Sequence, residues 1–143
     1  MELINRIPVS KNFFLDEYFQ KDMYLAAKNA SELLEQIDPK LFKSDQKLRD
    51  IFGPATINNW WTGGNRQYSG FRPKNCPIGA KGSDHKKGKA SDKLFKNATA
   101  QEVRKYIRLN YKELEITKIE DDISWVHTSV AETGETYLII FTP

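Results

Sequence analysis

Both histidines of this chain fall in two short segments, Ser83-Asp84-His85-Lys86-Lys87-Gly88-Lys89-Ala90-Ser91-Asp92 and Trp125-Val126-His127. Asp92 follows His85 by seven residues. Two neutral imidazoles and one carboxylate form a three-ligand set that suits zinc and leaves a fourth position open to water. That open position separates a catalytic zinc from a structural one. The single cysteine, Cys76, excludes a thiolate-rich structural site built within one chain.

Particular elements are needed for these three residues to meet. A His and an Asp seven apart cannot share one helical turn. They can share a metal where a loop runs into a strand, and Gly88 supplies the freedom to bend between them. Asp92 then enters a strand over Ala90–Phe95. His127 lies inside the apolar run Trp125-Val126-His127, where period-two alternation decides its face. If Trp125 and His127 share a face, the indole walls the metal pocket. Spacing alone leaves a second reading open, in which both histidines are exposed or hydrogen-bonded core groups and bind nothing.

The elements around these segments read as α+β. Residues 8–20 give an extended stretch and a short helix with an aromatic face through Phe13, Phe14, Tyr18 and Phe19. A helical period runs over 22–37, broken at Asp38-Pro39, and a second over 40–52, with Leu41, Phe42, Leu48, Ile51 and Phe52 inward and Gly53-Pro54 at its end. Ala55–Trp61 reads as a buried strand. A Lys- and Gly-rich loop covers roughly 73–88, a length that marks function or disorder. Thr99-Ala100-Gln101-Glu102 is a capping box that opens a helix to about 110, with Val103, Tyr106, Ile107 and Leu109 as its apolar side. Three strand-like stretches follow at Ile116–Glu120, Ser124–Val130 and Thr136–Phe141, with Thr133-Gly134-Glu135 as a hairpin turn between the last two. The expected plan is N-terminal helices packed on a small antiparallel sheet with the metal site at its edge.

The 143 residues fit one domain, and 39% apolar with 29% charged residues is a globular balance. One cysteine excludes an internal disulfide framework. The start of the chain, Met1-Glu2-Leu3-Ile4-Asn5-Arg6, carries no apolar run, so neither a signal peptide nor a membrane span is expected. A net charge of +3 is too mild to demand nucleic acid, although Lys81, Lys86, Lys87, Lys89 and Lys93 crowd the His85 loop. A solvated loop, or attraction to an anionic wall polymer, fits those lysines equally well. Trp60 and Trp61 read as core aromatics rather than a sugar-stacking platform, and Cys76 as a bystander.

The ordered set Ser69-Gly70-Phe71-Arg72, Ser83-x-His85-x-x-Gly88-x-Ala90-x-Asp92 and Trp125-Val126-His127 resembles the zinc D-Ala-D-Ala carboxypeptidase / L-alanyl-D-glutamate endopeptidase family, which shares its fold with the Hedgehog signalling domain. The likeness is to small bacteriophage members, and Asn12-Phe13 with Leu15-Asp16-Glu17, and Phe52-Gly53-Pro54, extend it over nearly the whole chain. The resemblance implies a zinc-dependent peptidase acting on peptidoglycan stem peptides, of D,D-carboxypeptidase or L,D-endopeptidase type, as in a phage lysin. It implies His85, Asp92 and His127 as zinc ligands. It implies Arg72 as the residue that polarises the scissile carbonyl or anchors a substrate carboxylate, and Ser83 as a support of the ligand loop or a substrate contact.

Relatives often carry an acidic residue three positions before the second His, where this chain has Ser124. The general-base candidates are therefore Asp122, preferred, and Asp121, in the Glu120-Asp121-Asp122 turn just upstream. Ser129 stands where phage relatives often have Asp, and Ser91 is less apolar than usual. These departures motivate an alternative: a non-catalytic, zinc-containing wall-binding or virion module of the same fold. The expected partner is a peptidoglycan stem peptide, with no nucleic acid and no membrane span, for a monomer. The expected location is the cytoplasm of the phage-infected bacterial cell or the virion, with action on the wall after release.

Overall fold

The computed structural model describes residues 6–143; residues 1–5, on which the expectation about a signal peptide rests, lie outside it. Asp38-Pro39 is a helix start rather than only a break. The Asp38 carboxylate accepts the Lys40 N–H and Pro39 takes the first helical position, so α3 runs Pro39–Phe52. Gly53, at φ 85°, closes it. Before it, the expected helix over 22–37 is two short ones, α1 (Lys21–Ala26) and α2 (Ala30–Leu34). Asn29 divides them, because its side chain accepts the Glu32 N–H and so caps a new helix. The aromatic segment before α1 forms a 3-10 turn at Leu15–Tyr18.

Five strands are present among the described residues: β1 (Ala55–Thr56), β2 (Ala90–Phe95), β3 (Lys118–Glu120), β4 (Val126–Ser129) and β5 (Ile139–Phe141). Helix α4 (Ala100–Leu114) crosses between β2 and β3. The sheet order is β1-β2-β4-β3-β5. All neighbours are antiparallel except β3 and β5, which are parallel. The architecture is thus α+β, as expected, but the sheet is mixed. The hairpin expected around Gly134 does not form. Both edges of β4 are taken, by β2 and β3, so β5 can only add to the free edge of β3. The intervening segment leaves the sheet and buries Val130 and Ala131.

Other boundaries shift for local reasons. The strand expected over Ala55–Trp61 stops after Thr56, and a 3-10 turn follows at Trp60–Thr62. Asn58 and Asn59 take over the backbone partners there: Asn58 accepts from Ser69 N–H and donates to the Phe19 carbonyl, and Asn59 accepts from Arg66 N–H. Trp60 and Trp61 pack edge-on around Tyr24, at the margin of the core. Helix α4 passes a kink at Asn110 and ends at Leu114, which the core buries. Ile51 and Leu109, expected inward, are exposed.

The core has two parts. One gathers the N-terminal aromatics with Leu33, Leu41 and Phe42. The other packs Val103, Ile107 and Leu114 of the α4 region onto Ile119 and Val126 on the back of the sheet. A charged network lies between α3 and the same back face. Lys93 and Asp45 are fully buried and paired at 2.9 Å. Lys93 also donates to Ser91 Oγ and Thr128 Oγ1, while Ser91 and Tyr18 donate to Asp45. This explains the polar residue at Ser91. Asp45 is inward because it shares a helical stripe with Leu41 and Leu48. Removing one partner of such a pair leaves a buried charge uncompensated. Lys93→Met is expected to cost about 3 kcal/mol in urea unfolding, and adding Asp45→Asn should recover part of it.

Glu17 supplies a pH-dependent term. Burial, reinforced by neighbouring Asp16, lifts its carboxyl from 4.5 to about 7, against a hydrogen bond from Phe14 N–H. The folded state holds this proton more tightly than the unfolded chain does, so its stability is full below pH 4.5 and is lost as pH rises to about 7. Glu17→Gln is expected to melt roughly 3–6 °C above the parent at pH 8 and level with it near pH 4, measured by thermal denaturation at both pH values.

Candidate metal centre

Strand register brings the first two ligands together. Asp92 on β2 faces His127 on β4 as a cross-strand pair. Period-two alternation then sends Ser91, Lys93 and Thr128 to the back of the sheet and Asp92 and His127 to the front. His85 arrives from a 3-10 turn, Asp84–Lys87, capped by Ser83, whose Oγ accepts the His85 N–H at 3.3 Å. Gly88 ends that turn at φ 69°, and a Cβ there would fall 1.7 Å from the Gln36 carbonyl oxygen. Only glycine lets the ligand loop press so closely on the segment before α3. Asp38 fastens the contact, donating its N–H to the Gly88 carbonyl and pairing with Lys89 at 2.9 Å.

Residues 69–72 clamp both ligand segments. The Ser69 carbonyl accepts the Asp92 N–H at 2.7 Å, and Arg72 N–H donates to the His85 carbonyl at 3.1 Å. The Gly70 carbonyl accepts from His85 Nδ1 at 2.8 Å. A Cβ on Gly70 would meet the Tyr18 carbonyl oxygen at 2.5 Å, so this clamp also depends on glycine. Because a carbonyl only accepts, Nδ1 of His85 carries the proton and its Nε2 lone pair points inward.

Three donor atoms converge there. His127 Nδ1 lies 2.8 Å from Asp92 Oδ1, His85 Nε2 lies 3.3 Å from the same oxygen, and the two nitrogens are 3.2 Å apart. All three residues are buried. Burial opposes ionisation of Asp92, but hydrogen bonds and charge from His127 and His85 hold its carboxyl well below the usual range. Tetrahedral zinc with bonds of ~2.0–2.1 Å sets neighbouring ligand atoms ~3.3 Å apart. Two sides of this triangle already have that spacing, and the third needs a small opening. A single cation at the centre satisfies two facing imidazole nitrogens and a carboxylate at once, so the residues fit a divalent metal.

The triangle opens onto a cleft of about 810 Å³. Arg72 lines it, with Nη2 3.3 Å from Asp92 Oδ2 and Nε donating to the Tyr68 carbonyl, so it holds the ligand's second oxygen. Ser83 lines it too. Trp125 and His127 both face it, and Phe141 meets the His127 ring edge-on at 5.5 Å. Asp84 accepts from Ser129 Oγ at 2.7 Å and pairs with Lys118 at 3.0 Å, which hold it below the usual carboxylate range despite burial. A carboxylate therefore stands beside Ser129, brought by Asp84.

Asp121 and Asp122 are not in the cleft. Asp121 pairs with Arg104 at 3.3 Å and Arg108 at 2.9 Å on the α4 side. Asp122 is exposed at φ 56°. Alternation along β3 is the reason: Ile119 is buried behind, so Lys118 and Glu120 face front and Asp121 turns back. The acidic residue of that turn which lines the cleft is Glu120. The alternation Lys118-Ile119-Glu120 carried the face of Glu120 in the sequence, but not the strand it would lie beside. Of the lysines crowded around His85 in sequence, Lys89 turns to Asp38 and Lys93 to Asp45, while Lys87 stays on the ligand turn beside Asp84.

Comparisons with protein-family models, curated proteins and solved structures return no match to this chain. No helix among the described residues is long and apolar enough to cross a membrane. One equivalent of a divalent cation is expected to bind by calorimetry. His127→Ala should weaken binding by at least about a hundredfold while leaving the far-ultraviolet circular dichroism unchanged.

Proposed function

We propose that this chain is a zinc-dependent peptidase that hydrolyses an amide bond in peptidoglycan stem peptides, of the type found in phage lysins. The observation that carries a metal-assisted hydrolase is the convergence of His85 Nε2, Asp92 Oδ1 and His127 Nδ1 at the floor of an open cleft. The choice of peptidoglycan rests on the resemblance of the three ordered motifs. Zinc held by these residues supplies a Lewis acid and an activated water for amide hydrolysis.

The chain's own residues do the rest. His85 is oriented by Gly70, and Asp92 by Arg72 and the clamp at Ser69. Arg72 presents positive charge at the cleft wall, where a carbonyl oxygen developing negative charge is stabilised or a peptide carboxylate is anchored. Trp125, Ile139 and Phe141 line the cleft with apolar surface against which a bound peptide can pack. Ser83 acts as a cap of the ligand turn.

A non-catalytic wall-binding module is the second reading. It is favoured by the exposed Ser124 and by the engagement of Asp121 with two arginines. Mass spectrometry of purified peptidoglycan incubated with the zinc-loaded protein decides between them. New stem-peptide fragments that disappear on chelation are expected, and their masses identify the bond. Wall binding with zinc bound and no fragments favours the second reading.

A further inference from the structure

We propose that Glu120 is the proton-transfer residue of this site, a role that rests on the peptidase reading and deepens it. The sheet carries the argument. Lys118 faces Ser129 and Ile119 faces Thr128 across β3 and β4, where that ladder ends. His127 faces Asp92 on β2, and Glu120 faces Phe141 on β5. Continued one residue beyond that ladder, the register puts Asp92, His127, Glu120 and Phe141 in one row across the front of the sheet. Side chains in such a row are neighbours, with Cβ atoms of opposed residues about 4.5–5.5 Å apart. Two metal ligands and one carboxylate stand side by side in the row, and all four residues line the cleft.

The electrostatics select the same group. The cleft holds two cations, and both are engaged: Arg72 with Asp92, Lys118 with Asp84. The Glu120 carboxylate has no hydrogen bond or ion pair among the described residues. It is half-buried and lines the cleft. Asp121 and Asp122 lie outside it, and the Ser124 hydroxyl is too weak a base to stand in. A free carboxylate beside the ligands is what a general base requires.

The proton balance is simple. Glu120 takes a proton from the attacking water as the water oxygen bonds to the scissile carbonyl carbon. When the C–N bond breaks, the nitrogen keeps the electron pair and receives that proton from Glu120. Glu120 ends ionised, and the products are one carboxylic acid and one amine.

The test compares the full-length parent, Glu120→Gln and Asp122→Asn, each checked for one bound zinc and an unchanged melting temperature. The probes are a synthetic peptidoglycan pentapeptide and peptides in which a phosphinate replaces each scissile amide in turn. Glu120→Gln is expected to bind intact pentapeptide within threefold of the parent but to cleave it at least about a hundredfold more slowly. Asp122→Asn should cleave within threefold of the parent. The tightest phosphinate, which mimics the tetrahedral carbon, should bind Glu120→Gln at least tenfold more weakly. Equal phosphinate affinity in both proteins, or cleavage by Glu120→Gln within threefold of the parent, overturns the role of Glu120 and leaves the peptidase reading standing. A zinc-loaded parent that neither cleaves pentapeptide nor binds any phosphinate more tightly than pentapeptide overturns the peptidase reading, and this role with it.

Discussion

The pairing register of β2 with β4 is the constraint on which this protein's site depends. Asp92 meets His127 only because Ala90 faces Ser129 and Lys93 faces Val126. Side chains alternate with a period of two, so a slip of one residue in either strand would send that strand's ligand to the other face. Both faces of this strand pair are heavily specified. The front holds Asp92 and His127, and the back holds Lys93, Ser91 and Thr128 in bonds that reach α3. A slipped register would expose the back network and bury unpaired charge, so the alternatives are costly on both sides.

The back network also determines where α3 lies. Asp45 joins that helix to β2 through Lys93 and Ser91, and the N-terminus of α3 reaches the ligand loop through Asp38. One helix is thus tied to the strand that carries Asp92 and to the loop that carries His85. Fully satisfied buried networks rigidify what they join. Gly70 and Gly88 complete the arrangement, because backbone runs against backbone at both places and no side chain fits between. A ligand set held by backbone contacts keeps its geometry without depending on long, flexible side chains.

Pairing of charge organises the cleft as well. Asp92 divides its two oxygens, one toward the imidazoles and one toward Arg72. Asp84, one row further along the sheet, instead takes both Ser129 and Lys118 on a single oxygen, Oδ2. These pairs leave Glu120 as the cleft carboxylate without an ion pair among the described residues, beside the apolar side chains of Ile139 and Phe141.

The residues that could bind metal were legible in the sequence because their types are rare in this chain. With only two histidines, the ligand candidates were few, and Gly88 and the strand over Ala90–Phe95 followed from local rules. The helix start at Ala100 was legible for the same reason, since caps act over three or four residues, whereas Asp38-Pro39 read as a break and not as the cap of α3. The break at Asn29, the early end of β1 and the missing hairpin were not. Each depends on a partner distant in sequence or on competition between a side chain and the backbone for the same hydrogen bond. Asp45 was hidden because a charged residue in a helix reads as exposed until a buried lysine is found to face it. Glu120 was passed over for Asp121 and Asp122, although they are adjacent in the chain, because proximity along the chain says nothing about the face of a strand. Sequence alone determined which groups could do chemistry and which local elements would carry them. The tertiary structure alone decided which acidic residue lines the cleft with His85, Asp92 and His127, because that choice is made by strand register, a contact between segments far apart in the chain.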